Sequence, residues 1–372
     1  MDWRVGIAVK QIIGSFGRSA AALFFAFATL ALVPSPSYGQ KPAQQQVSGS
    51  QSAVEFGIAL FDPVINAALG PTPRVPDNFT GAFALNHDFE EGRRSEPLFY
   101  QQRVGGRWVQ LGLVRNDPSL RHAGWRALEW GFNLQRPDGS FDDNPGSVLG
   151  TVSIVENGGL GLLAERQLGL KSDGEALLGK LTKSAQYVAA LDFRTHKGIR
   201  VFSRYTHRYW VTASALGMVA ELNDDEVLRA KAYFYARAGG AKQAPDGINP
   251  EGGGYDIGYQ AVGLISAARF YTVCQDPAMR ELVRAMLLKG AAWLAGFVRD
   301  DGSIDAGHST RVLVESNRRG GLKRLPPLQV ASALAWSALI TGRREFRSAA
   351  ERIVAAQRIA VDAGGLKREP QP

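Results

Sequence analysis

The apolar positions of this chain change their rhythm once. From 55 to 115 the pattern is mixed, interrupted by Pro63, Pro71, Pro73, Pro76 and Pro97, and Arg107 to Val114 reads as a short strand. Beyond residue 118 the apolar positions recur at helical spacing. Met279, Leu282, Val283, Met286 and Leu287 share one helical face, and Leu177, Leu178, Leu181, Ala185 and Val188 share another. Asp276 before Pro277 reads as a cap followed by a first-turn proline. Gly239-Gly240 and Gly320-Gly321 read as stops. The pattern predicts about nine helices between 119 and 359, beginning near 119, 150, 173, 207, 224, 255, 277, 326 and 343.

A repeat runs through this region. A helix ending in Phe132-Asn133-Leu134-Gln135 leads to Asp138-Gly139-Ser140-Phe141, and one ending at Phe297 leads to Asp301-Gly302-Ser303-Ile304. Asp246-Gly247-Ile248 is a third such turn. In each, an apolar residue after the Asp-Gly pair is expected to pin the turn to the core. Helical hairpins repeated in this way bury their faces only against their neighbours. The expected class is therefore all-α: an (α/α) toroid, as a closed or incomplete barrel of helical hairpins, with an irregular N-terminal extension. The turn around Gln135-Arg136-Pro137-Asp138-Gly139-Ser140-Phe141 resembles the repeated turn of the (α/α) toroids, among them terpene cyclases, glycosidases and polysaccharide lyases. Phe141-Asp142-Asp143-Asn144 does not reproduce the acid cluster of the cyclases.

The first forty residues add an address. Arg4, Lys10 and Arg18 precede an apolar run from Ala20 to Val33, broken by Thr29 alone, and small residues follow up to Gly39. That order predicts a secretory signal peptide over 1–39. The apolar run is shorter than the roughly 20 residues of a membrane span. A flexible Gln- and Ser-rich linker is expected over 40–54, the helical domain over 55–363 and a disordered tail over 364–372. The expected location is periplasmic or secreted, without stable membrane insertion once the leader is removed. The single cysteine, Cys274, excludes an intrachain disulfide framework. The five histidines are scattered singly, without ligand spacing, so no metal or other cofactor is expected.

Two loop-to-helix junctions carry candidate chemistry: Arg204-Tyr205-Thr206-His207-Arg208-Tyr209-Trp210, and the stretch from Asp246 to Gln260. Together they resemble toroidal polysaccharide lyases, most closely those of the alginate-lyase kind. His207-Arg208-Tyr209-Trp210 matches that group's His before a Tyr-Trp pair. Asp246-Gly247, Glu251, Tyr255 and Tyr259 match its later turn. Thr206 stands where the group places Asn, and Gly252-Gly253-Gly254 stand in place of an Arg-rich stretch. The resemblance implies β-elimination on an acidic, uronate-containing polysaccharide. It makes Tyr259 the base and acid, with Tyr255 as the alternate, and His207 the partner base or carboxylate neutraliser, oriented by Glu251. Arg204, Arg208, Trp210, Asp246, Asp256 and Arg311 are the expected substrate-binding residues. The chemistry asks for such a set: cations stabilise the charge that develops when the C5 proton leaves, and an acid must reach the leaving oxygen.

Two other functions fit the same pattern. An inverting glycoside hydrolase would use two carboxyls, drawn from Asp142 or Asp143, Glu251 or Asp256, and Asp301 or Asp305. A non-catalytic glycan-binding or envelope protein would keep the groove alone. Nucleic acid is not an expected partner, since no recognised nucleic-acid motif is present. The formal net charge of +8 is local. Arg194, Lys197, Arg200, Arg204 and Arg208 occur without an acid. Arg311, Arg318, Arg319, Lys323 and Arg324 occur with Glu315 alone. The distribution suggests where an acidic partner binds.

Overall fold

A computed structural model of the chain describes residues 59, 61–73, 75, 79–82, 97–141, 147–192, 196, 204–307, 309–316 and 321–362. All belong to the unit Gln46–Pro372. The expected leader, linker and tail lie outside them, as do Asp142, Asp143, Arg194, Lys197, Arg200, Arg318, Arg319 and Gly320. The fold is all-α, with no strand among the described residues.

Among the described residues the helices are, in order, α1 (Pro63–Ala68), α2 (Val104–Arg115), α3 (Pro118–Phe132), α4 (Ser147–Gln167), α5 (Leu178–Ala190), α6 (Thr206–Asn223), α7 (Glu226–Gly240), α8 (Ile257–Val273), α9 (Pro277–Ala295), α10 (Pro327–Thr341) and α11 (Arg344–Asp362). Short 3-10 turns precede α2 (Phe99–Arg103) and α5 (Asp173–Leu177). The caps are those the sequence announces. Asp276 Oδ1 accepts the Met279 N–H at 2.7 Å ahead of α9, and Asp117 and Asp225 cap α3 and α7 in the same way.

Three expectations are corrected. Arg107 to Val114 is helix, not strand, because α2 crosses its neighbours at glycines. Gly105 lies against the Gly124 carbonyl of α3 and Gly106 against Asn157 of α4, so Trp108, Val109 and Leu111 are buried on a helix. A short apolar run does not by itself distinguish the two forms. Pro63 opens a helix rather than breaking one, with Asp62 accepting the Val64 and Ile65 N–H groups. Among the described residues no helix stops at Gly321; the preceding described helix ends at Ala295, capped by Gly296.

The even-numbered helices form an inner layer. α2, α4, α6, α8 and α10 touch in succession, and α1 packs on α10. From α3 on, the odd-numbered helices lie outside, each paired with its inner partner. Inner neighbours run parallel: Gly106 meets Asn157 while Gly161 meets Val109, and Gly263 meets His207 while Gly217 meets Phe270. Outer helices run back, since Gly239 near the end of α7 rests on Trp210 near the start of α6. The connections are accordingly unequal. Inner-to-outer links are short, two residues after α2, α6 and α10 and three after α8, except for the ten-residue link 168–177 after α4. Outer-to-inner links span 133–146, 191–205, 241–256 and 296–326. The long loops gather where the inner helices begin, the end at which function is expected.

The Asp-Gly turns all sit at that end and share one structure. Asp138, Asp246 and Asp301 each accept, through Oδ1, the N–H two residues on. Gly139, Gly247 and Gly302 have φ of +91, +94 and +79°. A Cβ on each would collide with a carbonyl of the next outer helix, at Lys183, Lys289 and Arg352. The repeat is thus a device that docks each outer helix on the next. One expectation about it shifts. The inward position of the second turn is taken by Asn249, fully buried, where the others have Phe141 and Ile304; Ile248 is half-buried.

Candidate functional site

The site is built from the starts of α6 and α8 and from the loop ahead of α10. Tyr205 provides no side-chain cap for α6. Glu251, from the loop 241–256, fills that role: its Oε1 accepts the His207 N–H at 2.8 Å. The same carboxylate holds His207 Nδ1 through Oε2 at 2.7 Å. Both side chains are buried. An anion at a helix N-terminus is favoured by the dipole, which helps to offset the cost of burying Glu251. With Nδ1 committed, Nε2 is the nitrogen left for chemistry. The loop is fixed beside it by Thr206, which donates to the Pro250 carbonyl at 2.7 Å, and by the Gly252 N–H, which donates to the Arg204 carbonyl at 2.6 Å.

The α8 start brings Tyr259 to the same point. Asp256 caps α8, its Oδ1 accepting the Tyr259 N–H at 2.8 Å. The Tyr259 ring stacks on the His207 ring, with centroids 4.2 Å apart and 13° between planes. Two cations press on the phenol: Lys323 Nζ lies 3.5 Å and the Arg311 guanidinium 4.8 Å from its ring centroid. Arg208 and Arg311 both lie over the Tyr205 ring, at 4.4 and 5.5 Å. These cations are themselves anchored. Lys323 pairs with the buried Asp256, and Arg311 with Glu315 through two nitrogens at 2.9 and 2.7 Å. Burial pushes the Lys323 ammonium below its ordinary value, and Asp256 opposes that shift. For Arg311 burial works downward, but the hydrogen bonds it donates to Glu315 and the charges of Tyr259, Glu315 and Asp256 outweigh it and hold the guanidinium above its ordinary value. Arg311 Nη1 is buried with no hydrogen-bond partner among the described residues.

The structure therefore brings together His207, Glu251, Tyr259, Arg208, Arg311 and Asp256. Arg204 is exposed at the edge of this group. Tyr255 is set apart: its backbone is tied to Thr310 and its ring meets Trp293 edge-on at 5.7 Å. Trp210 is fully buried against Gly239; it belongs to the core and has no face for a sugar. Asp246 is the turn acid described above, exposed and engaged with Ile248. The carboxyls of the hydrolytic alternative are likewise engaged where described: Glu251 with His207, Asp256 with Lys323, Asp301 with Ser303 and Asp305 with Arg299.

Three participants escaped sequence reasoning as site residues. Tyr205 and Lys323 lay in the two basic stretches, and the convergence of those stretches was their signal. Asn249 lies beside His207 at Gly263, and its amide atoms have no hydrogen-bond partner among the described residues. An alignment of the three turns exposes it, because a polar side chain replaces an apolar one there.

An inner cavity of about 530 Å³, open to solvent, is bordered by α1, α2, α4, α8, α10 and α11 and lined in part by Arg107, Glu156, Val262, Ser266, Arg269 and Ser332. No helix among the described residues is long and apolar enough to cross a membrane. Compared with protein-family models, curated proteins and solved structures, the chain matches none.

Proposed function

We propose that the chain is an exported polysaccharide lyase that cleaves an acidic, uronate-containing polysaccharide by β-elimination, with its helices arranged as an incomplete (α/α) toroid. The succession of parallel inner helices and the gathering of long loops at one end support the toroid. The observation that carries the activity is the stack of His207 on Tyr259, with Glu251 behind the imidazole and Arg311 and Lys323 against the phenol. Glu251 sets His207 with its proton on Nδ1, so Nε2 is an acceptor. Cations beside a phenol stabilise its phenolate, which makes Tyr259 a base for the C5 proton. The same hydroxyl, once protonated, supplies the proton for the 4-linked oxygen as the bond breaks. Arg311, with Nη1 uncommitted, and Arg208 neutralise the uronate carboxylate and the charge that spreads into it.

The engagement of Glu251, Asp256, Asp301 and Asp305 weighs against a paired-carboxyl hydrolase. The test is a screen of the purified chain against uronate-containing and neutral polysaccharides, read by ultraviolet absorbance and by reducing ends. A lyase yields an absorbing unsaturated product. Reducing ends without absorbance mean hydrolysis, and neither signal on any polyuronate means that the reading is wrong.

A further inference from the structure

The inner cavity continues the stripe of α8 that begins at the mouth. Tyr259, Val262, Ser266 and Arg269 follow one another at three- and four-residue steps, so they share one face. The last three line the cavity. At about 1.5 Å per residue, Arg269 lies roughly 15 Å along the helix from Tyr259.

The far part of the cavity is charged. Glu156 of α4 faces Arg269, but Glu156 Oε2 stands 3.5 Å from Arg269 Nη1, wide for a charged hydrogen bond. Each partner keeps an unmatched buried atom: Glu156 Oε1 and Arg269 Nε have no hydrogen-bond partner among the described residues. The Glu156 side chain is only 6% exposed. Arg107 of α2 enters the same cavity, held by the Leu69 carbonyl through Nε at 3.0 Å and through Nη2. Burial pushes its guanidinium below the ordinary value. Two guanidiniums, one of them paired with Glu156 and the other held by the Leu69 carbonyl, thus line one cavity in which Glu156 is the carboxylate. Unpaired buried charge and unsatisfied polar atoms are costly, and the fold has neither closed the Glu156–Arg269 pair nor filled the space. A ligand that is anionic at one end and a hydrogen donor beside it completes every unmet group.

We propose that this cavity is a binding site for a small monoanionic sugar acid, whose carboxylate joins Arg107 and Arg269 and whose hydroxyl donates to Glu156 Oε1. Its volume suits a ligand of that size. The choice of a sugar acid among hydroxy acids rests on the lyase reading; the anion-and-hydroxyl chemistry does not. The site would hold a uronate released at the mouth, or the end of a chain entering through it.

Titration calorimetry of the purified chain tests this with galacturonate, glucuronate, mannuronate and guluronate, against glucose and acetate. Expected is saturable one-site binding of at least one uronate, none of glucose, and acetate weaker by at least about tenfold. Arg269→Lys and Glu156→Gln each weaken the uronate by roughly 10- to 100-fold, the loss of one charge-assisted hydrogen bond. Val262→Phe, which narrows the cavity from a half-buried position without touching the charges, weakens binding at least about tenfold while circular dichroism and thermal midpoint hold. The proposal is overturned if no uronate binds, if glucose or acetate binds as well, or if a folded Val262→Phe binds normally. Uronate binding without cleavage of any polyuronate sinks the lyase reading and keeps this site; cleavage without uronate binding does the reverse.

Discussion

Glu251 and His207, forty-four positions apart in sequence, are joined twice: one carboxylate oxygen takes the His207 backbone N–H and the other takes its ring nitrogen. A single side chain therefore starts a helix and orients an imidazole. Glu251→Ala leaves both donors buried and unmet, and a loss of about 3 kcal/mol is expected. Glu251→Gln keeps the volume and one acceptor oxygen, and should cost about half as much. Urea unfolding measures both losses, and nitrogen-15 shifts of His207 report whether the Nδ1–H tautomer survives. A loss below about 0.5 kcal/mol for Glu251→Ala would mean that the contact is ornamental.

The repeated turn makes a separate prediction. Gly247 and Gly253 are both left-handed, with φ of +94 and +96°, but only Gly247 is also pressed on a neighbouring helix. Gly253→Ala meets open space and should cost about 1 kcal/mol, the backbone strain alone. Gly247→Ala adds the collision with Lys289 of α9 and should cost clearly more, about 3 kcal/mol or above. Equal losses in thermal unfolding would show that the turn does not dock the outer helices.

Cys274 supplies a pH dependence. Burial pushes its thiol from the ordinary 9.0 up to about 11, so the folded chain keeps a proton that the unfolded chain releases. Stability from this group is complete below pH 9 and is lost as pH rises towards 11, by about 2–3 kcal/mol. Tyr233, whose hydroxyl accepts the Gln275 and Asp276 N–H groups, is likewise pushed up by burial, to about 12, and steepens the same alkaline fall. Cys274→Ala isolates the thiol: its stability curve should decline less than that of the parent chain across this window. Parallel curves would refute the assignment.

The helical part was legible because its signals are local. Asp276 ahead of Pro277, and the Met279-Val283-Met286-Leu287 face, need no knowledge of the rest of the chain, and all nine expected helices are present. α2 was not legible, because the approach of Gly105 and Gly106 to α3 and α4 decides its form, and those partners lie 19 and 51 positions away. The site divides in the same way. His207, Glu251 and Tyr259 stand out by residue type at a loop-to-helix junction. Lys323 comes to Tyr259 from 64 positions on, through a loop without periodicity, and the resemblance places Trp210 among the substrate-binding residues because sequence spacing does not report that Gly239 covers it.

Tyr259 and Trp210 separate chemistry from packing. Tyr259→Phe keeps the ring that stacks on His207 and faces Lys323 and Arg311, and removes only the hydroxyl. Its stability should fall by no more than about 1 kcal/mol, while turnover on a polyuronate falls at least a hundredfold with KM nearly unchanged, because the lost group acts in the transition state. Trp210→Phe should behave in the opposite way. The indole is fully buried and its Nε1 has no hydrogen-bond partner among the described residues, so the substitution costs packing, about 1–3 kcal/mol, and leaves kcat and KM intact below the unfolding temperature. Steady-state kinetics with thermal melts on both variants decide the matter. A Tyr259→Phe chain that turns over normally removes the phenol from the mechanism, and a Trp210→Phe chain with raised KM puts the indole back in contact with the sugar.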